Sequence, residues 1–162
     1  IARFHNVYGP NGTWDGGREK APAAMCRKVI EAIDKKDLSI NIWGTGEQTR
    51  SFMYIDDCVK GIDMITHCDE LIATPINLGS SELVSINTLV SKVEKIAGVK
   101  LKRSYKLDAP LGVAGRNSDN TFIKQVLKWE PNTTLDKGLA LTYKWIKGQY
   151  QARKAGKRVG IG

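Results

Sequence analysis

A lysine whose amine can bind an anion or exchange a proton stands directly before a predicted helix start, at the end of the run Gly16-Gly17-Arg18-Glu19-Lys20. Pro22 fits the first helical position, where its missing N–H group would have no partner in any case. Apolar residues then recur at helical spacing: Met25, Val29 and Ile33. We predict a helix from about Ala21, whose free N–H groups and positive dipole end make a site for phosphate or another anion.

A second face of this helix carries two small residues and then a cation: Ala21, Ala24 and Lys28. Side chains at this spacing lie one above the other, so the small ones leave room for a ligand along the helix. The alternative interpretation is a solvated basic face on a surface helix. The segment before the helix therefore decides between a ligand-binding face and a solvated basic face.

That segment, residues 3–10, alternates in polarity and ends in a Gly-Pro turn, which predicts a strand. Asn6 lies near its carboxyl end, where ligands bind in open α/β sheets. Residues 3–24 together resemble the extended short-chain dehydrogenase/reductase family of nucleotide-sugar enzymes, through Arg-x-x-Asn-x-Tyr-Gly-Pro. Residues 16–24 are similar to a narrower group within it, the 3,5-epimerases that act on GDP-mannose. Further landmarks keep the family's order: residues 40–52, 54–57, 76–79, 116–119, 127–131 and 138–145.

The resemblance implies an α/β fold, the C-terminal substrate-binding part of an extended short-chain dehydrogenase/reductase with remnants of the Rossmann sheet. Residues 1–162 would form a nucleotide-sugar-binding region, with 1–10 and 74–80 in the Rossmann sheet and 151–162 as a frayed basic tail. The family's Gly-rich strand–turn–helix unit does not occur in this sequence, and the resemblance places the family's catalytic Tyr-x-x-x-Lys helix upstream of Ile1. We therefore expect an enzyme as the parent protein and no activity from these residues alone. Gly44-Thr45-Gly46 is interpreted as a hairpin turn between two strands.

Enzymes of this kind oxidise the sugar at C4 with NAD, which acidifies the hydrogens on C3 and C5 for removal and return by a base and an acid. The resemblance places Lys20 as a catalytic residue of this proton transfer. It implies NAD as cofactor, bound mainly by residues upstream, and a homodimer as the full-length enzyme. The substrate-contacting positions that it implies are Asn6, Glu19, Lys20, Ala21, Lys28, Gln48, Thr49, Arg50 and Arg116. Of these, Lys28 and Arg116 suit a diphosphate, whereas Asn6 and Gln48 suit hydroxyl groups or a base edge.

Two other functions stay open from the sequence. One is another NAD-dependent nucleotide-sugar epimerase or a 4,6-dehydratase. The other is a non-catalytic domain that binds a nucleotide or a partner protein. The upstream sequence, with or without the Gly-rich turn and the Tyr-x-x-x-Lys pair, would separate the catalytic from the non-catalytic interpretation.

The net charge of +8 does not indicate nucleic-acid binding, because seven basic and no acidic residues follow Asp136, which leaves the rest nearly neutral. No nucleic-acid-binding module accompanies them.

No apolar run reaches the roughly 18 residues of a membrane span, and a cytoplasmic protein is expected. Three scattered cysteines predict no disulfide. A zinc site from His5, His67 and Cys68 was the alternative to the expected absence of metal.

The remaining elements follow from periodicity and capping residues. Strands are predicted at 38–43, 51–55, 75–79 and 99–105. Asp56 or Asp57 would cap a helix through about His67, a structural role preferred over acid–base chemistry, and its buried side would carry Val59, Ile62 and Ile65. Ser85 and Gly98 would begin and end the next helix. Residues 106–115 are predicted as a loop, 122–127 as a short helix and 135–150 as the last helix.

Overall fold

A computed structural model describes residues 1–110 and 112–160. Its strands are β1 (Ala2–Phe4), β2 (Val7–Tyr8), β3 (Ser39–Trp43), β4 (Thr49–Ser51), β5 (Met53–Tyr54), β6 (Ile76–Leu78), β7 (Leu83–Ser85), β8 (Lys102–Lys106) and β9 (Gly115–Arg116). Its helices are α1 (Ala21–Asp34), α2 (Ile55–Thr66), α3 (Ile86–Ala97), α4 (Thr121–Leu127) and α5 (Leu135–Lys154), with a 3-10 turn at Asp69–Leu71. The predicted α/β class is confirmed.

The strands form small, mainly parallel sheets. β1 pairs with β6, β2 with β5 and β3 with β8, all in parallel. β4 lies between an antiparallel β7 and a parallel β9. The predicted buried parallel strand at 75–79 is therefore confirmed as β6. Helices α1, α3 and α5 pack on one another over the main core, and among their fully buried side chains are Val29, Leu89, Val90, Val93 and Leu139.

The predicted hairpin at Gly44-Thr45-Gly46 is wrong. β3 and β4, which flank this turn, belong to different sheets and pair with other strands. Gly44 and Gly46 have φ values of 66° and 76°, the left-handed region that glycine tolerates. The Gly46 carbonyl accepts a hydrogen bond from the Asn87 N–H at 3.0 Å, so the turn is held against the start of α3 rather than by a strand ladder.

The predicted strand at residues 3–10 is split in two. β1 ends at Phe4 and β2 begins at Val7, because Asn6 adopts a φ of 30° between them. The Asn6 carbonyl accepts from the Met53 N–H at 3.1 Å, and its side-chain amide donates to the Ser51 carbonyl at 3.1 Å. Asn6 thus lies where the chain leaves one sheet for the next.

Helix α2 differs from its prediction in both cap and buried face. Tyr54 occupies the cap position, while Asp56 and Asp57 lie in the first turn. Asp57 is buried and accepts from the N–H groups of Asn132 and Thr133, at 3.1 and 2.7 Å. Val59 and Ile62 are exposed and Ile65 is only half-buried. The side that packs inward is built instead on Cys58 and Gly61, because Leu78 and Trp129 approach too closely for a larger residue at Gly61.

The other helices follow their predictions closely. α1 begins at Ala21 as expected, although Pro22 is its second residue and Ile33, in the last turn, is 37% exposed. The Ser85 side chain accepts from the Thr88 N–H, and Gly98 ends α3 with a φ of 70°. α4 lies where the short helix was predicted. No helix in the described ranges is long and apolar enough to cross a membrane.

The last helix is longer than the sequence predicts and includes the first residues of the basic tail. α5 continues to Lys154, four residues beyond the predicted end. The Arg153 guanidinium lies over the Trp14 ring, 4.5 Å from its centroid, and the Trp14 indole N–H donates to the Gly160 carbonyl at 2.9 Å. Arg153 and Gly160 therefore contact the loop before α1, and fraying of the tail stays a prediction.

Candidate functional site

A cavity of about 540 Å³ opens beside the start of α1. One wall is the loop and first turns of α1, with Lys20, Ala21 and Lys28. The opposite wall comes from β3, β4 and the turn between them. Two other clefts of comparable volume, one between α1 and α5 and one beside α4, contain none of the predicted site residues.

Seven of the nine predicted substrate-contacting residues line this cavity: Asn6, Glu19, Lys20, Ala21, Lys28, Gln48 and Arg50. Thr49 and Arg116 do not. Thr49 lies on β4, paired between Ser85 and Gly115, and Arg116 is exposed on β9, in register with Arg50. The tertiary structure thus brings together residues from three separate segments, and their roles in binding stay predictions.

Lys20 occupies the cap position of α1 and is exposed at the cavity. Its carbonyl accepts from the Ala24 N–H at 3.0 Å, which ties the backbone of Lys20 to the first helical turn. Across the described ranges, the Lys20 amine makes no hydrogen bond and no ion pair. The amine therefore faces the cavity from a fixed backbone position.

The Glu19 carboxylate forms an ion pair and a hydrogen bond within the chain. Its carboxylate is 6% exposed, binds the Arg27 guanidinium at 2.7 Å and accepts from the Gly17 N–H at 2.7 Å. Burial by itself would raise the pKa of Glu19, but hydrogen bonds from backbone N–H groups and from Arg27 outweigh it, so the pKa lies below its ordinary value. Glu19 is thus held as an anion at the cavity wall.

The cation Lys28 is tied to β3, since its amine donates to the Asn41 carbonyl at 3.0 Å. Burial lowers the pKa of this amine, and the nearby Arg27 lowers it further. Arg50 donates to the Thr49 carbonyl at 2.7 Å. Both side chains present positive charge to the cavity from elements that the core holds in place.

Gln48 and Trp43 form a flat, partly polar corner of the cavity. The Gln48 amide N–H donates to the Trp43 carbonyl at 3.0 Å, whereas its oxygen is buried without a hydrogen-bond partner in the part of the chain that the structure describes. The Trp43 indole is 56% exposed and lines the cavity. The sequence interpretation missed Trp43, although strand alternation from Ser39 to Trp43 puts its side chain on the exposed face.

Other lining residues that the sequence interpretation missed are mainly apolar. They are Met25, Phe52, Ile86 and Pro110, together with Gly17 and the cation Arg27. Met25 was predicted as a core residue, and its presence here shows that one wall of the cavity is the edge of the core. A single sequence carries no local signal for such a role in Met25, Phe52 or Ile86, because each of these side chains is buried like an ordinary core residue.

His5 lies beside the predicted diphosphate ligand Arg116. Burial lowers the pKa of His5 and the Arg116 charge lowers it further. The His5 Nδ1 atom is buried and has no hydrogen-bond partner among the residues described. Arg116 is thus placed between the carboxyl end of β1 and the Arg50 edge of the cavity, outside its wall.

The described residues do not fit the pyrophosphate of a dinucleotide. The Gly44-Thr45-Gly46 turn leads into the strand β4 and not into a helix. The Gly16 and Gly17 N–H groups do precede a helix, but they donate to the side chains of Asp15 and Glu19 at 2.8 and 2.7 Å. Neither glycine turn therefore offers the open backbone N–H groups that a pyrophosphate needs.

The three cysteines are free, with Cys26 and Cys58 buried and Cys68 partly buried. Burial raises the pKa of the Cys26 thiol to about 12 and also raises that of Cys58. No group of three metal-ligating side chains, including the His5, His67 and Cys68 set, comes together in the described ranges. These thiols pack as small core side chains.

Comparison with known proteins gives relatives along nearly the whole chain. Residues 1–79 match the NAD dependent epimerase/dehydratase family. The GDP-mannose 3,5-epimerase of Arabidopsis thaliana is 49% identical over 155 residues, which are 96% of this chain and 39% of that protein. GDP-mannose 3,5-epimerase 1 of Oryza sativa subsp. indica is 47% identical over 154 residues, again 39% of its length. The chain thus spans well under half of these curated relatives.

Solved structures agree with this relationship. A UDP-glucose 4-epimerase from Thermotoga maritima, solved with UDP-glucose, superposes with a TM-score of 0.80 at 25% identity, over 92% of this chain and 46% of that one. A UDP-glucuronic acid 4-epimerase from Bacillus cereus, in complex with NAD, gives a TM-score of 0.77 at 28% identity, over 98% and 46%. The chain is therefore a homologue of the GDP-mannose 3,5-epimerases, and its residues 1–79 match the NAD dependent epimerase/dehydratase family.

Proposed function

We propose that this chain forms the nucleotide-sugar-binding part of an NAD-dependent 3,5-epimerase that acts on GDP-mannose. The observation that carries the proposal is the cavity beside α1, which gathers seven predicted contact residues around Lys20. The identity of nearly half to the Arabidopsis and rice enzymes supports the choice of GDP-mannose. Since the chain covers only 39% of those relatives, the activity belongs to the full-length protein.

The charge around the cavity suits a nucleoside diphosphate. Lys28 and Arg50 are cations at its wall, and Glu19, the one carboxylate among the lining residues that the structure describes, is neutralised by Arg27. The first turn of α1 adds backbone N–H groups and the positive end of the helix dipole. Arg116, in register with Arg50 on the neighbouring strand, extends this positive edge. We infer that the diphosphate lies along this edge, between α1 and β4.

Lys20 then faces the sugar and exchanges protons at the carbon atoms to be inverted. Its backbone is fixed at the helix cap while its amine is exposed in the cavity. A positioned acid or base of this kind contributes about 10²–10⁴-fold to a rate. Asn6 is unsuited to large movement, because both its backbone and its side chain are bonded to the β4–β5 segment, so it would act as a fixed contact for a sugar hydroxyl.

Product analysis of the full-length protein tests the function. Incubated with GDP-mannose in deuterated water, it should yield epimers that carry deuterium at C3 and C5, as followed by NMR. A 4-epimerase would invert C4 without deuterium at these carbons, and a 4,6-dehydratase would release a 4-keto-6-deoxy sugar. Thermal protection by GDP with no exchange at any carbon would favour the non-catalytic nucleotide-binding alternative. UDP-glucose serves as the control substrate and should give no deuterated product.

The corner formed by Trp43 and Gln48 is proposed to hold the nucleobase. The exposed Trp43 indole offers a stacking surface, and Gln48 lies beside it at the cavity wall. Trp43→Ala should weaken GDP binding by about 1–3 kcal/mol, a common value for loss of base stacking. Titration calorimetry with GDP measures it.

The matched control for Trp43 is Tyr105→Ala on the neighbouring strand β8. Tyr105 is similarly exposed, at 44%, but does not line the cavity. Its replacement should leave GDP affinity unchanged. Equal losses of affinity in the two variants would show that the effect is one of strand stability, and the base would then lie elsewhere.

A further inference from the structure

The loop before α1 contains two successive glycines, Gly16 and Gly17, ahead of Glu19 and the cap residue Lys20. Gly16 and Gly17 have φ values of 96° and 85°, so two successive residues adopt conformations that only glycine takes readily. Such a pair gives the backbone more freedom than any other dipeptide. The Lys20 carbonyl is tied to α1, but the residues that lead to Lys20 depend on side-chain contacts to hold this shape.

The Arg27 guanidinium makes these contacts. Arg27, two turns into α1, donates from Nε to the Trp14 carbonyl at 3.1 Å and lies 3.3 Å from the Asp15 carboxylate. Its Nη2 binds Glu19 at 2.7 Å. These contacts fall on both sides of the Gly-Gly pair, so a single side chain clamps both ends of the flexible stretch.

The carboxylates of Asp15 and Glu19, which Arg27 binds, also accept hydrogen bonds from the two glycines. The Asp15 Oδ1 atom accepts from the Gly16 N–H at 2.8 Å, and the Glu19 Oε2 atom accepts from the Gly17 N–H at 2.7 Å. Arg27 is itself oriented, because its Nη1 binds Glu31 one turn further along α1 at 3.0 Å. Its side chain is only 16% exposed, so the clamp is largely shielded from water.

A second arginine extends the arrangement to the last helix. Arg153 binds the other oxygen of Asp15 at 2.6 Å and stacks on Trp14. The chain of ion pairs therefore runs from α5 through Asp15 and Arg27 to Glu19, the residue before Lys20. The sequence alone does not indicate this chain of ion pairs, because Arg153 and Asp15 lie 138 residues apart.

We propose that Arg27 is a positioning residue that holds the Lys20 loop through the carboxylates of Asp15 and Glu19. This inference rests on the proposed function for its effect on turnover, but not for its effect on the loop. Arg27 sets where the Lys20 amine stands relative to the sugar. Because the guanidinium serves four partners at once, a single ammonium group cannot replace it.

The test compares Arg27→Met with Arg103→Met in the full-length protein. Arg103 is a matched control, because it is 17% exposed and also binds a buried carboxylate, Glu94, at 2.9 Å, away from the cavity. Hydrogen exchange measured by mass spectrometry should be roughly tenfold faster over residues 15–20 in Arg27→Met alone, as expected for a lost charged hydrogen bond. Turnover of GDP-mannose should fall roughly 10- to 100-fold in kcat with KM nearly unchanged.

The variant Arg27→Lys separates an effect on the stability of the fold from an effect on the position of the Lys20 loop. It keeps the positive charge and should retain the melting temperature better than Arg27→Met, yet exchange over 15–20 should stay fast and kcat low. Equal exchange over 15–20 in Arg27→Met and Arg103→Met would overturn the proposal. So would a rise in KM with kcat unchanged, which would make Arg27 a substrate contact. If the wild type does not act on GDP-mannose, the proposed function fails, and the exchange comparison still decides whether Arg27 holds the loop.

Discussion

Replacing Lys20 with Met should abolish deuterium incorporation at C3 and C5 of GDP-mannose, with a loss of about 10²–10⁴-fold in the exchange rate. The amine is the only part of the side chain that can carry a proton, and Met keeps much of its length and flexibility. Affinity for GDP should change little, because Lys28, Arg50 and the helix start are untouched. NMR of the sugar in deuterated water measures the exchange, and titration calorimetry measures the affinity.

Two further variants sharpen the Lys20 experiment. Lys20→Arg retains the positive charge, but a guanidinium does not give up its proton near neutral pH, so exchange should stay blocked. Lys35→Met removes an exposed lysine at the opposite end of α1 and should leave exchange at the wild-type rate. Recovery of exchange in Lys20→Arg would mean that Lys20 acts as a cation for the diphosphate. Wild-type exchange at both carbons in Lys20→Met would remove it from the chemistry altogether.

Trp14→Ala should lower the free energy of unfolding by about 3–5 kcal/mol, the usual cost of truncating a buried tryptophan. The Trp14 side chain is completely buried, its N–H donates to the Gly160 carbonyl, and Arg153 stacks on its ring. Its loss would leave a large cavity between the loop before α1 and the end of α5. Urea denaturation followed by circular dichroism measures the change.

Trp43→Ala is the natural control, because the same side chain is removed from an exposed site. It should change the free energy of unfolding by no more than about 0.5 kcal/mol, as surface substitutions generally do. Trp14→Phe preserves most of the packing and loses only the indole hydrogen bond, so its cost should be intermediate. Equal destabilisation by Trp14→Ala and Trp43→Ala would contradict the burial of Trp14 and its contacts with Arg153 and Gly160.

The start of α1, both ends of α3, the short helix α4 and the buried strand β6 follow from the sequence because their causes are local. A proline at a helix start, a Ser85 side chain that caps the helix, and Gly98 in a left-handed conformation act within a few residues. The same holds for β6, where Ile76 and Leu78 are buried on one face and Pro75 and Gly79 flank the strand. The candidate site residues were identified by resemblance to a family, and seven of the nine line one cavity.

Strand pairing was decided by the tertiary structure. The turn at Gly44-Thr45-Gly46 looks like a hairpin locally, yet β3 pairs with β8, some sixty residues away, because parallel partners must come from distant segments. The buried face of α2 also depended on its neighbours: Leu78 and Trp129 select the small Gly61, which leaves Val59 and Ile62 outside.

The Lys20 loop also combines a feature that the sequence determines with one that only the tertiary structure decides. The sequence by itself placed a lysine after a flexible Gly-Gly pair at a helix start. What restrains that pair is Arg27 from the next two turns and Arg153 from the last helix, joined through Asp15. Ion pairs of this kind depend on where whole helices pack, and packing is set by the summed burial of the core rather than by any local run of residues.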